Sequence, residues 1–363
     1  MAPAMEIESN MQNLHFVLVP LLAQGHMIPM IDMTKLFAKR GVRVTLVITP
    51  NNALRSARAI RRARDSGLPI RVLEIPFPSK EVGLPPGCEN LDSVPSKDLL
   101  RPFYRALDKL QGPLEKYLRE NEYPPSCIIS DKCLSWTSET AKKFQVPRIV
   151  FHGMCSFSLL SSHNVSLHRP HLAVDSDQEP FIIPGMPMRV EITRAKLPGS
   201  FVTLPCFNDI RDQMTQAESN AYGVVVNTFA ELEHGCVEEY RKAINKKVWC
   251  IGPVSQCNKQ NLDKFERGNP SSIDKNLIGV RVGVELPVRW GDEERVGVLV
   301  SKEQVEIAIE RLMKDPEDGM ERGVRARELA LTAKNAMEDG GSTSFSISLL
   351  INDIMGQVRL RTS

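Results

Sequence analysis

The sequence predicts an α/β fold built on a doubly wound parallel sheet, and two observations support this prediction. Short runs rich in apolar and β-branched residues alternate with helical patterns from about residue 15 to residue 254. Several of these runs are apolar throughout rather than alternating, as is typical of parallel strands covered on both faces. Such alternation favours right-handed crossovers within one sheet. The strand candidates are His15–Leu22, Arg43–Thr49, Ile70–Ile75, Ser126–Ser130, Arg148–Phe151, Gly223–Asn227 and Val248–Ile251.

Helical patterns fill the intervals between the strand candidates. Met30, Met33, Leu36 and Phe37 recur at three- and four-residue steps and indicate an amphipathic helix. A second pattern of this kind runs over Leu99–Leu114. The arginine-rich stretch Arg55–Arg64 is interpreted as the solvated face of a helix, with a phosphate-binding patch as the alternative.

The alternation breaks twice. Glu179–Ser200 contains four prolines and is predicted to be an irregular loop. Residues 255–274 are polar and are predicted to be a linker. The sequence therefore predicts a first domain over 14–254, a connecting segment over 255–278 and a C-terminal unit over 279–363.

The C-terminal unit is short for a domain of its own. It offers one strand candidate, Gly279–Leu286, and three helices, predicted over Lys302–Lys314, near Val324–Glu338, and over about Ser344–Ile354, the last with Ser342 or Thr343 as its cap. One strand and three helices cannot close a second doubly wound domain. We therefore expect that half of a domain is missing.

Composition excludes several classes of protein. A formal net charge of +2 on 363 residues gives no electrostatic case for nucleic acid or an anionic membrane as the main partner. No apolar run is long enough to span a bilayer, and the start carries no secretory signal. Eight cysteines without a CxxC pair fit reduced, mostly buried thiols. We expect a cytoplasmic protein, active as a monomer.

The tripeptide Gln24-Gly25-His26 directly follows an apolar strand candidate and opens a helix. In an open α/β sheet this point lies at the carboxyl edge of the strands, where ligands bind. An imidazole there suits proton transfer near neutral pH. The alternative is that His26 is simply a polar residue at a helix start. His168 and His171 have a loosely metal-like spacing but no companion ligands, so no metal site is predicted.

Several segments resemble plant family-1 UDP-sugar-dependent small-molecule glycosyltransferases. One is the opening strand followed by Gly25-His26, with Pro29 in the early helix. The others are Ile129-Ser130-Asp131 followed by Trp136, Val225–Glu233, Trp249–Val254, Val282–Val284, Trp290-Gly291 and Arg325–Leu329. The resemblance implies a GT-B-like fold of two facing Rossmann-like domains, the first binding the acceptor and the second the nucleotide sugar.

The resemblance also implies a reaction and its residues. It implies inverting transfer of glucose or a related sugar from a UDP-sugar co-substrate to a hydroxyl of a small lipophilic acceptor, such as a flavonoid, a terpenoid or a steroid-like compound. His26 would be the general base and Asp131 would orient it. Without the resemblance, Asp131 would be interpreted as a turn or helix-cap carboxylate. Gly25, Phe103 and Trp136 are candidate acceptor-binding residues, although aromatic residues at such spacing are more often plain core.

The sequence departs from the family where the second domain should begin. The family's Trp-x-x-Gln and His-Cys-Gly-Trp-Asn-Ser segments do not occur, so no donor-binding residue is identifiable. The sequence passes from Ser272-Ile273-Asp274, which resembles the end of the interdomain linker, to Lys275–Ile278, which resembles sequence beyond the signature. An internal deletion would explain this junction. We therefore predict impaired catalysis. The alternatives are an inactive homologue that binds acceptor or pairs with an intact relative, and a chain with no stable function.

Overall fold

The computed structural model describes residues 13–198, 201, 207–233, 235–258, 282, 300–314 and 316–362. Its main feature is a seven-stranded parallel sheet in the order β3-β2-β1-β4-β5-β8-β9. The strands are β1 His15–Val19, β2 Arg43–Ile48, β3 Ile70–Glu74, β4 Cys127–Asp131, β5 Arg148–His152, β8 Gly223–Val226 and β9 Lys247–Cys250. All seven strand candidates are confirmed. The order 3-2-1-4-5 is that of a doubly wound fold.

The described residues also form helices between and beyond these strands. They are α1 Gln24–Lys39, α2 Pro50–Asp65, α3 Ser79–Val82, α4 Leu100–Asp108, α5 Gln111–Glu120, α6 Thr137–Lys143, α7 Ser156–His168, α8 Asn208–Ser219, α9 Cys236–Ile244, α10 Lys302–Lys314, α11 Pro316–Met337 and α12 Ser342–Thr362. The helix predicted over Leu99–Leu114 is wrong as a single element, because α4 ends at Asp108 and α5 begins at Gln111. Pro113 lies in the first turn of α5, where its missing N–H is tolerated.

The prediction of an irregular loop over Glu179–Ser200 is wrong in part. Two short strands, β6 Pro180–Ile182 and β7 Glu191–Thr193, pair there as an antiparallel hairpin. Phe181 is buried in a small apolar cluster with Val165 and Leu197. Burial of this aromatic ring stabilises the hairpin, and the prolines of the segment do not indicate this burial.

The central strands are buried over their whole length, which explains their continuous apolar sequence. Every residue of β1, β4 and β5 is buried, whereas the edge strand β3 exposes both Arg71 and Glu74. Val19 at the end of β1 pairs with Ser130, and Asp131 pairs with Phe151. The carboxyl ends of β1, β4 and β5 therefore lie side by side.

The last helix, α12, packs on the sheet of the first domain, although the sequence places it in the unit 279–363. Its buried residues Ile347, Leu350, Ile351 and Ile354 belong to the main core cluster. Nζ of Lys247 in β9 donates to Oδ1 of Asp353 in α12 at 2.5 Å. The chain thus returns to the first domain at its end.

The helices of the C-terminal unit agree with the sequence prediction, with two differences. The helix α11 begins before the predicted Val324, and α12 begins at Ser342 rather than near Ser344. Ser342 and Thr343 do not cap α12: the Ser342 hydroxyl donates to Glu231 and the Thr343 hydroxyl to the carbonyl of Gly252. The strand predicted over Gly279–Leu286 falls almost entirely outside the described residues.

No helix among the described residues has the length and apolar character needed to cross a membrane.

Candidate active site

The candidate active site begins where β1 gives way to α1. Ala23 precedes the first helical residue, and the backbone N–H of His26 donates to its carbonyl at 3.0 Å. This bond places His26 in the first turn of α1, directly beyond the carboxyl end of β1. A Cβ on Gly25 would meet nothing within 4 Å, so the backbone faces open space there. Gly25 therefore leaves room beside His26.

Asp131 ends the neighbouring strand β4 and contacts His26. Nδ1 of His26 and Oδ2 of Asp131 are 2.6 Å apart. The other carboxylate oxygen, Oδ1, accepts from the backbone N–H of Cys133 at 2.9 Å. Both oxygens of the carboxylate therefore have a partner, which fixes its orientation. The side chain of Asp131 is 2% exposed and that of His26 is 39% exposed.

This arrangement defines what the imidazole can do. A carboxylate only accepts hydrogen bonds, so Nδ1 of neutral His26 carries the proton and Nε2 is left with its lone pair. Among the described residues, Nε2 has no hydrogen-bond partner. Burial lowers the pKa of His26, but the hydrogen bond and charge of Asp131, with the charge of Asp92, outweigh it and raise the pKa above its usual value. The exposed nitrogen is therefore a competent proton acceptor.

Asp92 is one group that the sequence analysis missed. It lies in a short 3-10 helix, Leu91–Ser93, whose start is capped by the side chain of Asn90. Its Oδ2 accepts from the backbone N–H of Gln24 at 2.9 Å, at the beginning of α1. The Asn-x-x-Ser capping pattern was visible in the sequence. The proximity of Asp92 to His26 was not visible there.

A second histidine–carboxylate pair at the same edge of the sheet was also missed. His152 ends β5, and its Nε2 donates to Oε1 of Glu218 at 2.6 Å. Lys132 binds the other oxygen of Glu218 at 3.1 Å. Burial raises the pKa of Glu218, but the hydrogen bond and charge of His152 and the charge of Lys132 outweigh it and lower the pKa to about 2.

The two aromatic candidates are both buried in this structure. Phe103 is fully buried, with its ring 5.4 Å from that of Phe77 and 6.3 Å from that of Tyr104. It packs as a core residue, and its contact with an acceptor stays a prediction. Trp136 is 6% exposed, and its buried Nε1 has no hydrogen-bond partner. Such an unpaired N–H is free to bind an entering polar group.

Within the described part of the chain, no group of three or more histidine, cysteine, aspartate or glutamate side chains could hold a metal ion. None of the seven cysteines described there forms a disulfide.

Comparisons with known proteins agree with this geometry. A family model described as "Glycosyltransferase, N-terminal domain" matches residues 12–256. UDP-glycosyltransferase 73D1 of Arabidopsis thaliana is 41% identical over 503 residues, with 98% of this chain and 99% of the relative covered. UDP-glycosyltransferase 73C11 of Barbarea vulgaris is 34% identical over 485 residues, with 96% and 98% covered.

Solved structures give a similar result for the fold. The crystal structure of UGT73P12 from Glycyrrhiza uralensis, complexed with glycyrrhetinic acid 3-O-monoglucuronide, aligns with a TM-score of 0.84 at 22% identity. The alignment covers 96% of this chain and 97% of that chain. The fold is therefore of the GT-B type.

Proposed function

The chain belongs to the plant family-1 UDP-glycosyltransferases, and from that premise we propose that it is built to transfer glucose from UDP-glucose to a hydroxyl of a small lipophilic acceptor, with inversion. The observation that carries the proposal is the 2.6 Å contact between His26 and Asp131 at the carboxyl edge of the sheet. A buried carboxylate behind a partly exposed imidazole is the arrangement that general-base catalysis requires.

In the proposed step, Nε2 of His26 takes the proton of the acceptor hydroxyl. The acceptor oxygen forms its bond to the anomeric carbon while the bond from that carbon to UDP breaks, and UDP leaves with the electron pair. Attack on the face opposite UDP inverts the anomeric configuration. Asp131 holds the proton on Nδ1 beforehand and stabilises the imidazolium that forms. Positioned general-base catalysis of this kind contributes about 10²–10⁴-fold in rate.

The acceptor is proposed to be apolar apart from its hydroxyl groups. Gly25 leaves open space beside the imidazole, and the unpaired Nε1 of Trp136 offers a donor for one polar group of the acceptor. The relative from Glycyrrhiza uralensis carries glycyrrhetinic acid 3-O-monoglucuronide, which supports a large lipophilic acceptor. Gly25 and Trp136 thus stay as proposed acceptor-binding residues.

We further propose that this chain lacks an internal stretch and is impaired for that reason. The match to the Arabidopsis relative runs over 503 residues, whereas the chain has 363. The match covers 98% of this chain and 99% of the relative, which supports an internal position for the excess. The missing Trp-x-x-Gln and His-Cys-Gly-Trp-Asn-Ser segments support the same position, between Asp274 and Lys275. Without hydrogen-bond donors that stabilise the departing UDP, sugar transfer is slow even with the base in place.

A repaired chimera tests both proposals. The corresponding stretch of UDP-glycosyltransferase 73D1 is inserted between Asp274 and Lys275, and turnover of UDP-glucose is measured with a panel of hydroxylated acceptors. We expect the chimera to transfer glucose at least 10²-fold faster than the chain itself, since the repair restores donors to the leaving group. Equal rates for the two proteins would contradict the impairment. Full activity of the chimera with His26→Ala would contradict the role of the base.

The second candidate function is acceptor binding without catalysis. It is favoured by one observation: the seven-stranded sheet is formed, with α12 packed on it and His26 in contact with Asp131. Calorimetric titration of the unrepaired chain separates the two functions. Micromolar binding of an acceptor together with no binding of UDP would support the binding function. Binding of neither ligand would contradict it.

A further inference from the structure

A buried arginine lies directly behind the His26–Asp131 pair. Arg148 is the first residue of β5, is 4% exposed, and pairs with Ile128 of β4. Its side chain extends from there along β4 toward the carboxyl end of that strand. Nη2 donates to the backbone carbonyl of Asp131 at 3.4 Å. Arg148 thus connects β5 to the residue that carries the carboxylate.

The same guanidinium also holds the turn that follows β4. Nη2 reaches the carbonyl of Leu134 at 3.4 Å, and the N–H of Leu134 donates to the carbonyl of Asp131 at 3.1 Å. This turn carries Cys133, whose N–H binds Oδ1 of Asp131. A shift of the turn would therefore rotate the carboxylate away from His26.

Two hydroxyl groups complete the attachment. Nε of Arg148 donates to Oγ1 of Thr137 at 2.7 Å and to Oγ of Ser130 at 3.0 Å. The Thr137 hydroxyl in turn donates to the carbonyl of Leu134 at 2.6 Å. One planar side chain therefore links the end of β4, the turn and the start of α6.

The guanidinium of Arg148 is held by hydrogen bonds to uncharged oxygens. No carboxylate of the described residues lies within ion-pair distance of it, and Nη1 binds a carbonyl, that of Ala217, at 2.9 Å. Burial lowers the pKa of Arg148 to about 10, although the charges of Glu218 and Asp131 oppose this. A buried charge without a contacting partner is expensive, and an apolar residue of similar volume would avoid that penalty.

We propose that Arg148 is a positioning residue: its guanidinium holds the turn after β4 so that the Asp131 carboxylate faces Nδ1 of His26. The proposal deepens the proposed function, because it assumes that this pair is the catalytic one. The positioning can be tested without measuring turnover, because the hydrogen bond between Asp131 and His26 affects the pKa of the imidazole.

The test is an NMR titration of His26 in the full chain, with its signal assigned by its loss in His26→Ala. Asp131 and Asp92 are the charged groups acting on this imidazole, and both raise its pKa. Asp131→Asn defines the shift expected when the carboxylate is removed. We expect Arg148→Met to lower the pKa of His26 by most of that shift. Arg148→Lys should do nearly the same, because an ammonium group lacks the planar fork that spans two carbonyls.

Arg43→Met is the matched control, since Arg43 is also the first residue of a strand of this sheet, with its guanidinium over the ring of Tyr123. It should leave the His26 titration unchanged. If Arg148→Met does not fold, Thr137→Val takes its place and should produce a smaller shift in the same direction. An unchanged pKa of His26 in the folded variant, or full recovery of the wild-type value with lysine, would overturn the proposal.

Discussion

The molecule contains two histidine–carboxylate pairs at one edge of its sheet, and they differ in which partner is buried. Both hydrogen bonds are 2.6 Å long. In the first pair the histidine, His26, is 39% exposed and Asp131 is 2% exposed. In the second the histidine, His152, is 5% exposed and Glu218 is 19% exposed.

Under the proposed function, this difference separates a pair that can act on a substrate from one that is structural. His26 presents its second nitrogen outward, where a substrate can reach it. His152 has its ring buried, and the carboxylate of Glu218 also binds Lys132. A short hydrogen bond to a carboxylate therefore does not identify a general base. The imidazole must also have a nitrogen that a substrate can reach.

The largest expected effect comes from removing each imidazole in turn. In the repaired chimera, His26→Ala should lower kcat/KM by about 10²–10⁴-fold, because the proton acceptor is lost. His152→Gln should lower it less than tenfold, since a glutamine can keep a hydrogen bond to Glu218. Initial rates at saturating UDP-glucose and varied acceptor give kcat/KM for both variants. Losses of equal size would remove the distinction between the two pairs.

The second pair should instead determine stability in acid. The pKa of Glu218 is about 2 in the folded protein and its ordinary value is 4.5. A lowered pKa stabilises the fold above the unfolded value, and this stability is lost as the pH falls from about 4.5 toward 2. The loss is up to roughly 3 kcal/mol, at about 1.4 kcal/mol per pKa unit.

Glu218→Gln tests this contribution. Urea unfolding between pH 7 and pH 3 should show a wild-type free energy of unfolding that falls more steeply than that of the variant. Glu231→Gln, on an exposed carboxylate, is the control and should keep the wild-type slope. A variant with the wild-type slope at position 218 would show that the ion pair contributes nothing to acid stability.

The first pair was predicted through the resemblance to the family, and the strand pattern agrees with it: His26 follows β1 and Asp131 ends β4. Continuous apolar runs predicted β1 and β4, and parallel pairing brings their carboxyl ends together. The second pair could not be predicted in this way. Glu218 lies at the end of α8, and no strand pattern indicates where a helix end will rest on a sheet.

Other features that the sequence does not reveal also arise from tertiary contacts. The burial of Phe103 depends on how α4 packs, since periodicity alone cannot separate a pocket wall from a core. The hairpin that contains Phe181 forms although its segment has four prolines, because packing stabilises it. The place of α12 on the first domain follows from an apolar face whose partner strand, β9, is distant in sequence.

A smaller effect is expected from the charge of Asp131 on stability at alkaline pH. The pKa of His26 is raised in the folded protein above its ordinary value of 6.5. The resulting stability is fully present below pH 6.5 and is lost as the pH rises through the folded value. Asp131→Asn should remove this gain in stability, because burial, which lowers the pKa of His26, then outweighs the charge of Asp92. Thermal unfolding between pH 5.5 and 9 measures the change. Because His26 is partly exposed, solvent screening keeps the contribution small.

The smallest expected effect is that of Asp92, whose charge acts on the exposed pair. Asp92→Asn keeps an oxygen that accepts from the Gln24 N–H but removes the charge that acts on His26. The pKa of His26 should fall slightly, by less than in Asp131→Asn, and the difference should shrink at 1 M salt, where exposed charges are screened. Asp98→Asn, another exposed acid of the same loop, should change nothing. A shift that persisted at high salt would mean that Asp92 acts through the conformation of the helix start rather than through its charge.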